Sequence, residues 1–100
     1  LIAVEHRYYG DSMPVEGASY KNLKWLSSQQ ALADLATFHG QIMVNYSLTS
    51  SNKWVAFGGS YPGMMAGFFR LKYPHLVHAA VSSSSPWLAK LDMNEYQDVV

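Results

Sequence analysis

A serine flanked by glycines marks the boundary between two predicted elements. Residues 58–63, with the sequence GGSYPG, follow an apolar run of strand type and precede a segment with helical periodicity. A serine on a tight strand-to-helix turn is held in a strained conformation that lifts its hydroxyl above the sheet, and small neighbours let strand and helix approach closely. The spacing therefore predicts a nucleophile at Ser60, with Gly58, Gly59 and Gly63 shaping the turn.

The same turn predicts one donor for an oxyanion. The N-terminus of the predicted helix carries a partial positive charge, and the amide of Tyr61 is placed to donate to a developing oxyanion. Pro62 stands where the pattern G-x-S-x-G has its last glycine. Proline is tolerated in a first helical turn, but it biases Tyr61 away from helical angles. A glycine-rich loop that only packs a helix on a strand is the alternative that the local pattern leaves open.

The elements around this turn alternate between strand and helix. Short apolar runs predict buried strands, and apolar residues recurring every three or four positions predict helices. The predicted strands are 1–4, 54–57 and 77–81, and the predicted helices are 28–46 and 61–73. This order predicts an α/β fold in which, in the intact protein, these residues form three adjacent parallel strands crossed by two helices. Since such domains commonly run to roughly 200–250 residues, the 100 residues are expected to be a fragment cut at both ends.

Helix boundaries are signalled by capping residues. Ser27 and Gln30 form a predicted capping box, in which the serine accepts from the Gln30 amide while the Gln30 side chain reaches back. Pro74 is predicted to end the helix that follows the glycine-rich turn.

Composition excludes several classes of partner. The chain is 49% hydrophobic and balances seven basic residues with seven acidic ones, so no net field attracts nucleic acid or an anionic membrane. No apolar run approaches the roughly 20 residues needed to span a bilayer. No residues have the spacing of metal ligands, and neither a metal nor an organic cofactor is predicted.

Longer stretches resemble a known family. The sequences EHRYYGDS, SQQALADL, FGGSYPG and FRLKYPH resemble, in order, motifs of the prolyl carboxypeptidase family of serine peptidases, and SSSP with LDMNEY leans toward its thymus-specific branch. The stretches are residues 5–12, 28–35, 57–63, 69–75, 83–86 and 91–96. The family pattern has a variable residue at the position of Pro62, which removes the objection that proline raises.

The resemblance implies an α/β-hydrolase peptidase. It implies that Ser60 is the nucleophile, that Tyr61 provides an oxyanion N–H, and that peptides are cleaved through an acyl-enzyme, next to proline and near one end. Residues 1–88 would then belong to the central hydrolase domain and 89–100 would begin a helical cap. The triad His and Asp and the second oxyanion donor are expected outside these residues. The resemblance also implies a lysosomal, vesicular or secreted protein. Carboxypeptidase or dipeptidyl peptidase action and the oligomeric state stay open.

Further residues have weaker predicted roles. The carboxyl edge of the first predicted strand is followed by His6, Arg7, Tyr8 and Tyr9, and α/β sheets bind ligands at this edge. All four are candidates for lining the site, and Tyr8 and Tyr9 are candidates for substrate binding. An equally supported alternative is that Glu5 and Arg7 form a structural ion pair behind the site. Asn45 opens the triplet Asn-Tyr-Ser, a candidate glycosylation site.

Several ionisable residues are poor candidates for the rest of a triad. His75 and His78 follow the far end of the nucleophile's helix, which puts His75 at least ~20 Å from the serine. Asp92 and Asp98 come too soon after the third predicted strand to be the triad acid, and they are interpreted as solvated.

Two rival functions remain. An esterase or lipase uses the same turn, because the turn does not distinguish acyl groups. A relative that binds peptides without cleaving them would lack the His or Asp elsewhere in the protein. In either case, the 100 residues alone are expected to be inactive.

Overall fold

The computed structural model describes residues 1–17 and 19–99. It contains a parallel two-stranded sheet, two long helices, and two short helical segments at the flanks. The strands are Val55–Gly59 (β1) and Ala79–Ser83 (β2); the helices are Ser28–Asn45 (α1), Tyr61–Lys72 (α2) and Glu95–Val99 (α3), with a 3-10 helix at Tyr20–Leu23. Within these ranges, no helix is both long enough and apolar enough to span a membrane.

The two strands pair in parallel, with α2 as the crossover between them. Val55 lies opposite Ala79 and Gly59 lies opposite Ser83. One further bond extends the pairing at its start, where the His78 N–H donates to the Trp54 carbonyl at 2.8 Å. The predicted parallel strands at 54–57 and 77–81 are therefore confirmed, each displaced by one or two residues toward the C-terminus.

The prediction of a strand at residues 1–4 is wrong for this structure. No residue of this segment belongs to a strand, and Leu1, Ile2 and Val4 are 121%, 49% and 44% exposed. An apolar run indicates burial, but it does not say which strand would lie beside it. Since a strand exists only through ladder bonds to a neighbour, four apolar residues without one form no strand. The sheet has two adjacent strands where three were predicted.

Helix α1 confirms the predicted helix, and its cap confirms half of the predicted capping box. The Gln30 N–H donates to the hydroxyl of Ser27 at 3.1 Å. The prediction of the reciprocal bond is wrong. The Gln30 side chain does not reach back to the cap and donates instead to Oδ1 of Asp34 at 2.9 Å. The Ser27 N–H, which would donate to the Gln30 side chain in a full capping box, donates instead to the Trp25 carbonyl at 3.0 Å. The Asp34 carboxylate, one turn further along the helix, binds the Gln30 amide in a charge-assisted hydrogen bond.

Helix α2 ends at the predicted stop. Its last residue is Lys72, one residue short of the prediction, and Tyr73 caps it by donating to the Phe69 carbonyl at 2.8 Å. Tyr73 precedes Pro74, and a residue before proline is disfavoured in the helical region. The proline thus sets the length of the helix that carries the glycine-rich turn at its other end.

The core lies where α2 packs on one face of the sheet and α1 packs on α2. Its buried members are Ala31, Leu32, Met65, Phe69 and Val77. Burial of these side chains fixes α2 against both strands, and α1 packs on α2.

The other face of the sheet carries apolar side chains in the open. Val55, Phe57 and Val81 are 45%, 69% and 46% exposed, while the alternate residue Ala56 packs against the core. Phe57 and Val81 are register partners, so they form one continuous apolar surface. Among the described residues, the helices therefore cover one side of the sheet only.

Candidate active site

Ser60 lies between β1 and α2 in a backbone conformation that side chains rarely adopt. Its φ is 59° and its ψ is −126°, it is the N-cap of α2, and its side chain makes no capping hydrogen bond. The residue is exposed. A serine at an N-cap ordinarily turns its oxygen back onto the helix. Here the strained backbone leaves the hydroxyl uncommitted to the helix and open to solvent.

The glycines differ in how strictly the turn needs them. A Cβ on Gly58 would lie 2.0 Å from the carbonyl oxygen of Pro62, and one on Gly63 would lie 2.0 Å from Oγ of Ser85 and 3.1 Å from the Gly58 carbonyl. A Cβ on Gly59 would meet nothing closer than the Ser83 carbonyl at 3.9 Å. Gly58 and Gly63 thus allow strand and helix to touch, whereas Gly59 is not required by sterics.

The first turn of α2 leaves the amide of Tyr61 available. The Ser60 carbonyl accepts from Gly63 N at 3.0 Å and from Met64 N at 3.1 Å, which closes the first turn. Tyr61 is the first helical residue, and the N–H groups of a first turn have no acceptor within their helix. Pro62 fills a position whose N–H would be unpaired anyway, so the proline does not prevent the turn.

Two bonds from β2 hold the turn in place. The Ser60 N–H donates to the Ser83 carbonyl at 3.0 Å, and the Ser82 hydroxyl donates to the Gly63 carbonyl at 2.7 Å. Ser82 and Ser83, the last two residues of β2, therefore support the first turn of α2 from beside it. The tetraserine run gave no sequence signal for this role.

His6 reaches the same turn from a distant part of the chain. Its Nε2 lies 2.9 Å from the hydroxyl of Tyr61, and its ring also contacts those of Tyr9 and Tyr61, with centroids 4.6 and 5.5 Å away. Burial, followed by the influence of the neighbouring Tyr9, raises the pKa of Tyr61 above its ordinary value. The phenol therefore keeps its proton at neutral pH. No sequence pattern had linked His6 to Tyr61.

Arg7 forms an ion pair, but not with the residue predicted. Its Nε and Nη2 donate to the two carboxylate oxygens of Asp34, both at 2.8 Å. Glu5 instead accepts from the Ser12 hydroxyl at 2.6 Å, so the predicted pairing of Glu5 with Arg7 is wrong. The two oxygens of the Asp34 carboxylate face the forked guanidinium of Arg7, so two parallel hydrogen bonds form. Glu5, only two residues away along the chain, does not make this two-bond contact.

This contact shifts the protonation of both partners. The hydrogen bond from Arg7 holds the pKa of Asp34 below its ordinary value, with a smaller contribution from Gln30. The same bond raises the pKa of Arg7. The pair is partly exposed, and it attaches the segment carrying His6 to α1.

The two tyrosines predicted to bind substrate differ in their surroundings. The Tyr8 hydroxyl donates to the Asn22 carbonyl at 2.7 Å and accepts from Trp25 N at 3.3 Å, so it is engaged inside its own loop. Tyr9 is 50% exposed and lies against His6, beside Tyr61. Substrate binding stays a prediction for both, and the geometry favours Tyr9.

The remaining predicted residues lie away from Ser60. The His78 backbone pairs with Trp54, the residue before β1, while Ser60 is the residue after it, so six residue steps of extended chain separate the two levels by roughly 20 Å. His75 lies three residues before His78 and is exposed. Asn45 is the last residue of α1 and is exposed, as glycosylation requires.

Among the residues described, no group of three or more histidine, aspartate or glutamate side chains is placed to hold a metal ion.

A strained serine between a parallel strand and a helix, with glycines at the points of contact, is typical of the nucleophile turn of α/β-hydrolases. The chain belongs to the family Serine carboxypeptidase S28, whose sequence profile matches residues 1–100. This finding confirms the resemblance drawn from the motifs.

Curated relatives agree with the family. The chain is 46% identical over 100 residues to the thymus-specific serine protease of Homo sapiens, which covers all of this chain and 20% of that protein. It is 44% identical over 104 residues to the prolyl carboxy peptidase like protein 5 of Caenorhabditis elegans, covering 99% of this chain and 20% of that protein. It is 43% identical over 89 residues to the lysosomal Pro-X carboxypeptidase of Homo sapiens, covering 86% and 18%. The chain thus spans about a fifth of the length of the relatives it matches.

Proposed function

We propose that the full-length protein is a serine peptidase whose nucleophile is Ser60. The observation that carries the proposal is the conformation of this residue: an exposed serine with φ 59° on a strand-to-helix turn, where its hydroxyl does not cap the helix. Such strain persists only when the surrounding structure imposes it, and it is concentrated at functional sites. Family membership supports the same assignment.

The proposed reaction proceeds through an acyl-enzyme. The Ser60 oxygen attacks the peptide carbonyl while a histidine accepts the hydroxyl proton. The C–N bond then breaks, and the amine leaves with that proton. Water next attacks the acyl ester, and the serine recovers its proton. The Tyr61 N–H donates to the carbonyl oxygen as negative charge develops on it.

We propose that the triad histidine and aspartate come from outside residues 1–100. The chain contains four histidines. His6 has both ring nitrogens engaged, with the Arg7 carbonyl and the Tyr61 hydroxyl, and His39 is buried against Trp54. His75 and His78 lie at the opposite edge of the sheet. In α/β-hydrolases the acid and the histidine follow the serine at distant loops, and the relatives are about five times longer than this chain.

The substrate class is proposed from the relatives. Two of them are named for carboxypeptidase action at proline, so cleavage of a peptide next to a proline near one terminus is proposed for this protein. A lysosomal, vesicular or secreted location is proposed because one relative is named as lysosomal. Glycosylation at Asn45 is proposed from the triplet Asn-Tyr-Ser and the exposure of this residue. The assignment of residues 89–100 to a cap domain likewise stays a proposal.

A covalent probe tests the nucleophile. A peptidyl diphenyl phosphonate carrying proline should react with the full-length protein, forming a bond between Ser60 and phosphorus as phenol is released. Mass spectrometry of the digested protein should place the adduct on the peptide containing Ser60. The Ser60→Ala variant should lose the adduct.

Ser84 provides a matched control. It is also exposed, also has a positive φ of 47°, and follows the neighbouring strand at the same edge. The Ser84→Ala variant should be labelled like the unaltered protein. An adduct on Ser83, Ser84 or any other serine would overturn the assignment. Paired peptide and ester substrates separate a peptidase from an esterase, because only a peptidase should cleave the peptide efficiently.

A further inference from the structure

The hydrogen bond between His6 and Tyr61 joins a distant segment to the residue that follows the candidate nucleophile. The two residues are 55 positions apart, and the bond measures 2.9 Å. Through this bond the segment before α1 is tied to the first turn of α2. A ring that only filled space would need no directed polar contact here.

The orientation of the imidazole is fixed on several sides. Its Nδ1 lies 2.6 Å from the Arg7 carbonyl, and a carbonyl can only accept, so Nδ1 carries a proton. In the neutral ring Nε2 then has a free lone pair, and the Tyr61 hydroxyl donates to it. The ring of Tyr9 packs against the same imidazole at 4.6 Å. These contacts therefore fix the direction in which Nε2 of His6 points toward Tyr61 and keep this nitrogen unprotonated, as an acceptor.

The segment that carries His6 is itself anchored. Arg7 is bound to α1 by the forked contact with Asp34, and the Tyr8 hydroxyl is bound between Asn22 and Trp25. Three successive side chains thus attach to three different parts of the fold. His6 is the member of this series that faces the candidate site.

The peptide between Ser60 and Tyr61 is consequently held from two directions. On one side, the Ser60 carbonyl of this peptide accepts from Gly63 N at 3.0 Å and Met64 N at 3.1 Å, and the N–H of the same serine donates to the Ser83 carbonyl at 3.0 Å. On the other, the Tyr61 side chain is bound to His6. An oxyanion donor acts only when it is held within a fraction of an ångström of its productive position, since its orientation must exist before charge develops.

We propose that His6 is a positioning residue for the reaction at Ser60: by binding the Tyr61 hydroxyl, it orients the peptide whose N–H donates to the oxyanion. This inference rests on the proposed function. It assigns no proton transfer to His6, and it predicts that the imidazole matters as a hydrogen-bond acceptor and not as a base.

The test measures the rate and affinity of phosphonate labelling in the full-length protein. During labelling, the phosphoryl oxygen occupies the place of the oxyanion, so a displaced donor slows the maximal labelling rate. His6→Leu and Tyr61→Phe should each lower that rate by about tenfold, with the half-saturating concentration changed less than about twofold. The double variant should be no slower than either single variant, because both remove the same bond.

Rescue separates positioning from general-base catalysis and from a merely structural effect. His6→Gln retains an acceptor but cannot act as a base, so its labelling rate should return to within about threefold of the unaltered protein. His75→Leu, which removes an exposed histidine at the opposite edge, should leave the rate unchanged.

The outcomes are distinct. Equal labelling of Ser60 in the His6→Leu variant and the unaltered protein would overturn the inference while leaving the proposed function intact. The inference also fails if the Gln variant is as slow as Leu, if the double variant is about a hundredfold slower, or if only the half-saturating concentration changes. No labelling of Ser60 in the unaltered protein would refute the proposed function and this inference together.

Discussion

The backbone N–H of Ser60 donates to the carbonyl of Ser83 at 3.0 Å, so the ladder between the two strands extends to the candidate nucleophile itself. The serine thus directly follows Gly59, the last residue of β1, and is at once the cap of the following helix. A residue with both roles has little freedom in φ and ψ. The strained conformation is therefore a consequence of the bond to Ser83 and of the tight contact between β1 and α2.

Replacing Gly58 with alanine should disrupt the turn. The added Cβ would lie 2.0 Å from the Pro62 carbonyl oxygen and 2.6 Å from the Gly63 nitrogen, and both are backbone atoms that cannot rotate away. We expect Gly58→Ala to lower the free energy of unfolding of the full-length protein by several kcal/mol, on the order of 2–4, and to abolish labelling at Ser60.

Gly40→Ala is the matched control for this change. Gly40 lies inside α1, and a Cβ there would meet nothing within 4 Å. The alanine should therefore leave labelling unchanged and raise stability by roughly 0.5–1 kcal/mol, because glycine is a poor helix former. Denaturant unfolding measures both effects. Equal stability of the two variants would contradict the steric account.

Replacing Ser60 with glycine should relieve the backbone strain at this position while removing the hydroxyl that the phosphonate labels. At φ 59° any Cβ is strained, and alanine retains that Cβ whereas glycine does not. Ser60→Gly should therefore be more stable than Ser60→Ala by about 1 kcal/mol, although neither variant is labelled.

Ser84→Gly provides the comparison for this second prediction. With a φ of 47°, Ser84 has a similar backbone, so its glycine variant should also gain stability but keep its labelling at Ser60. If Ser60→Gly proves less stable than Ser60→Ala in thermal denaturation, the strain at Ser60 is not stored in its backbone.

The sequence predicted the parts of this site that depend on local chemistry. Glycines at 58 and 63 around a serine, an apolar run before them and a proline-stopped helix after them were sufficient for the turn and for the order of its elements. Contacts between segments far apart in the chain had no such signal. His6 with Tyr61, and Arg7 with Asp34, depend on which loop lies over which helix, and periodicity does not specify that.

The predicted first strand shows the same limit. The run at residues 1–4 has the apolar composition of a buried strand. Apolar composition indicates only that a segment tends to be buried. A strand additionally needs a hydrogen-bonded neighbour, and the identity of a neighbour is a property of topology. The apolar pattern therefore predicted the strand conformation correctly for β1 and β2, which pair with each other. It predicted the wrong conformation for residues 1–4, which pair with neither of these strands.

Removing the charge of Asp34 should destabilise the protein in a pH-dependent way. The Arg7 contact holds the pKa of Asp34 below its ordinary value of 3.8 in the folded state. The resulting stability is present above that value and is lost as pH falls through the lower, folded pKa. Asp34→Asn should thus lower the melting temperature by a few degrees at pH 7, and the difference from the unaltered protein should shrink below pH 3.8.

Glu95→Gln is a suitable control for the pH series. The pKa of Glu95 is also lowered by its contact with a cation, here Lys90, but both side chains are largely exposed, at 61% and 42%. Exposed pairs contribute little to stability, so this variant should melt like the unaltered protein at every pH. A pH-independent loss in Asp34→Asn would show that packing, and not charge, explains the effect.

Residues 1–100 expressed alone should neither melt cooperatively nor turn over a prolyl peptide. Phe57 and Val81 form part of an apolar sheet face that no described residue covers, and the radius of gyration is 15.6 Å, above the ~13 Å of a compact domain of this length. Such a chain buries too little apolar surface to offset the conformational entropy lost on ordering. In addition, no histidine of the described residues is both unengaged and within reach of Ser60, so the hydroxyl keeps its proton. Calorimetry should show a broad transition, and a sensitive peptidase assay should show no activity above background. A sharp two-state transition, or turnover that disappears in Ser60→Ala, would contradict this prediction.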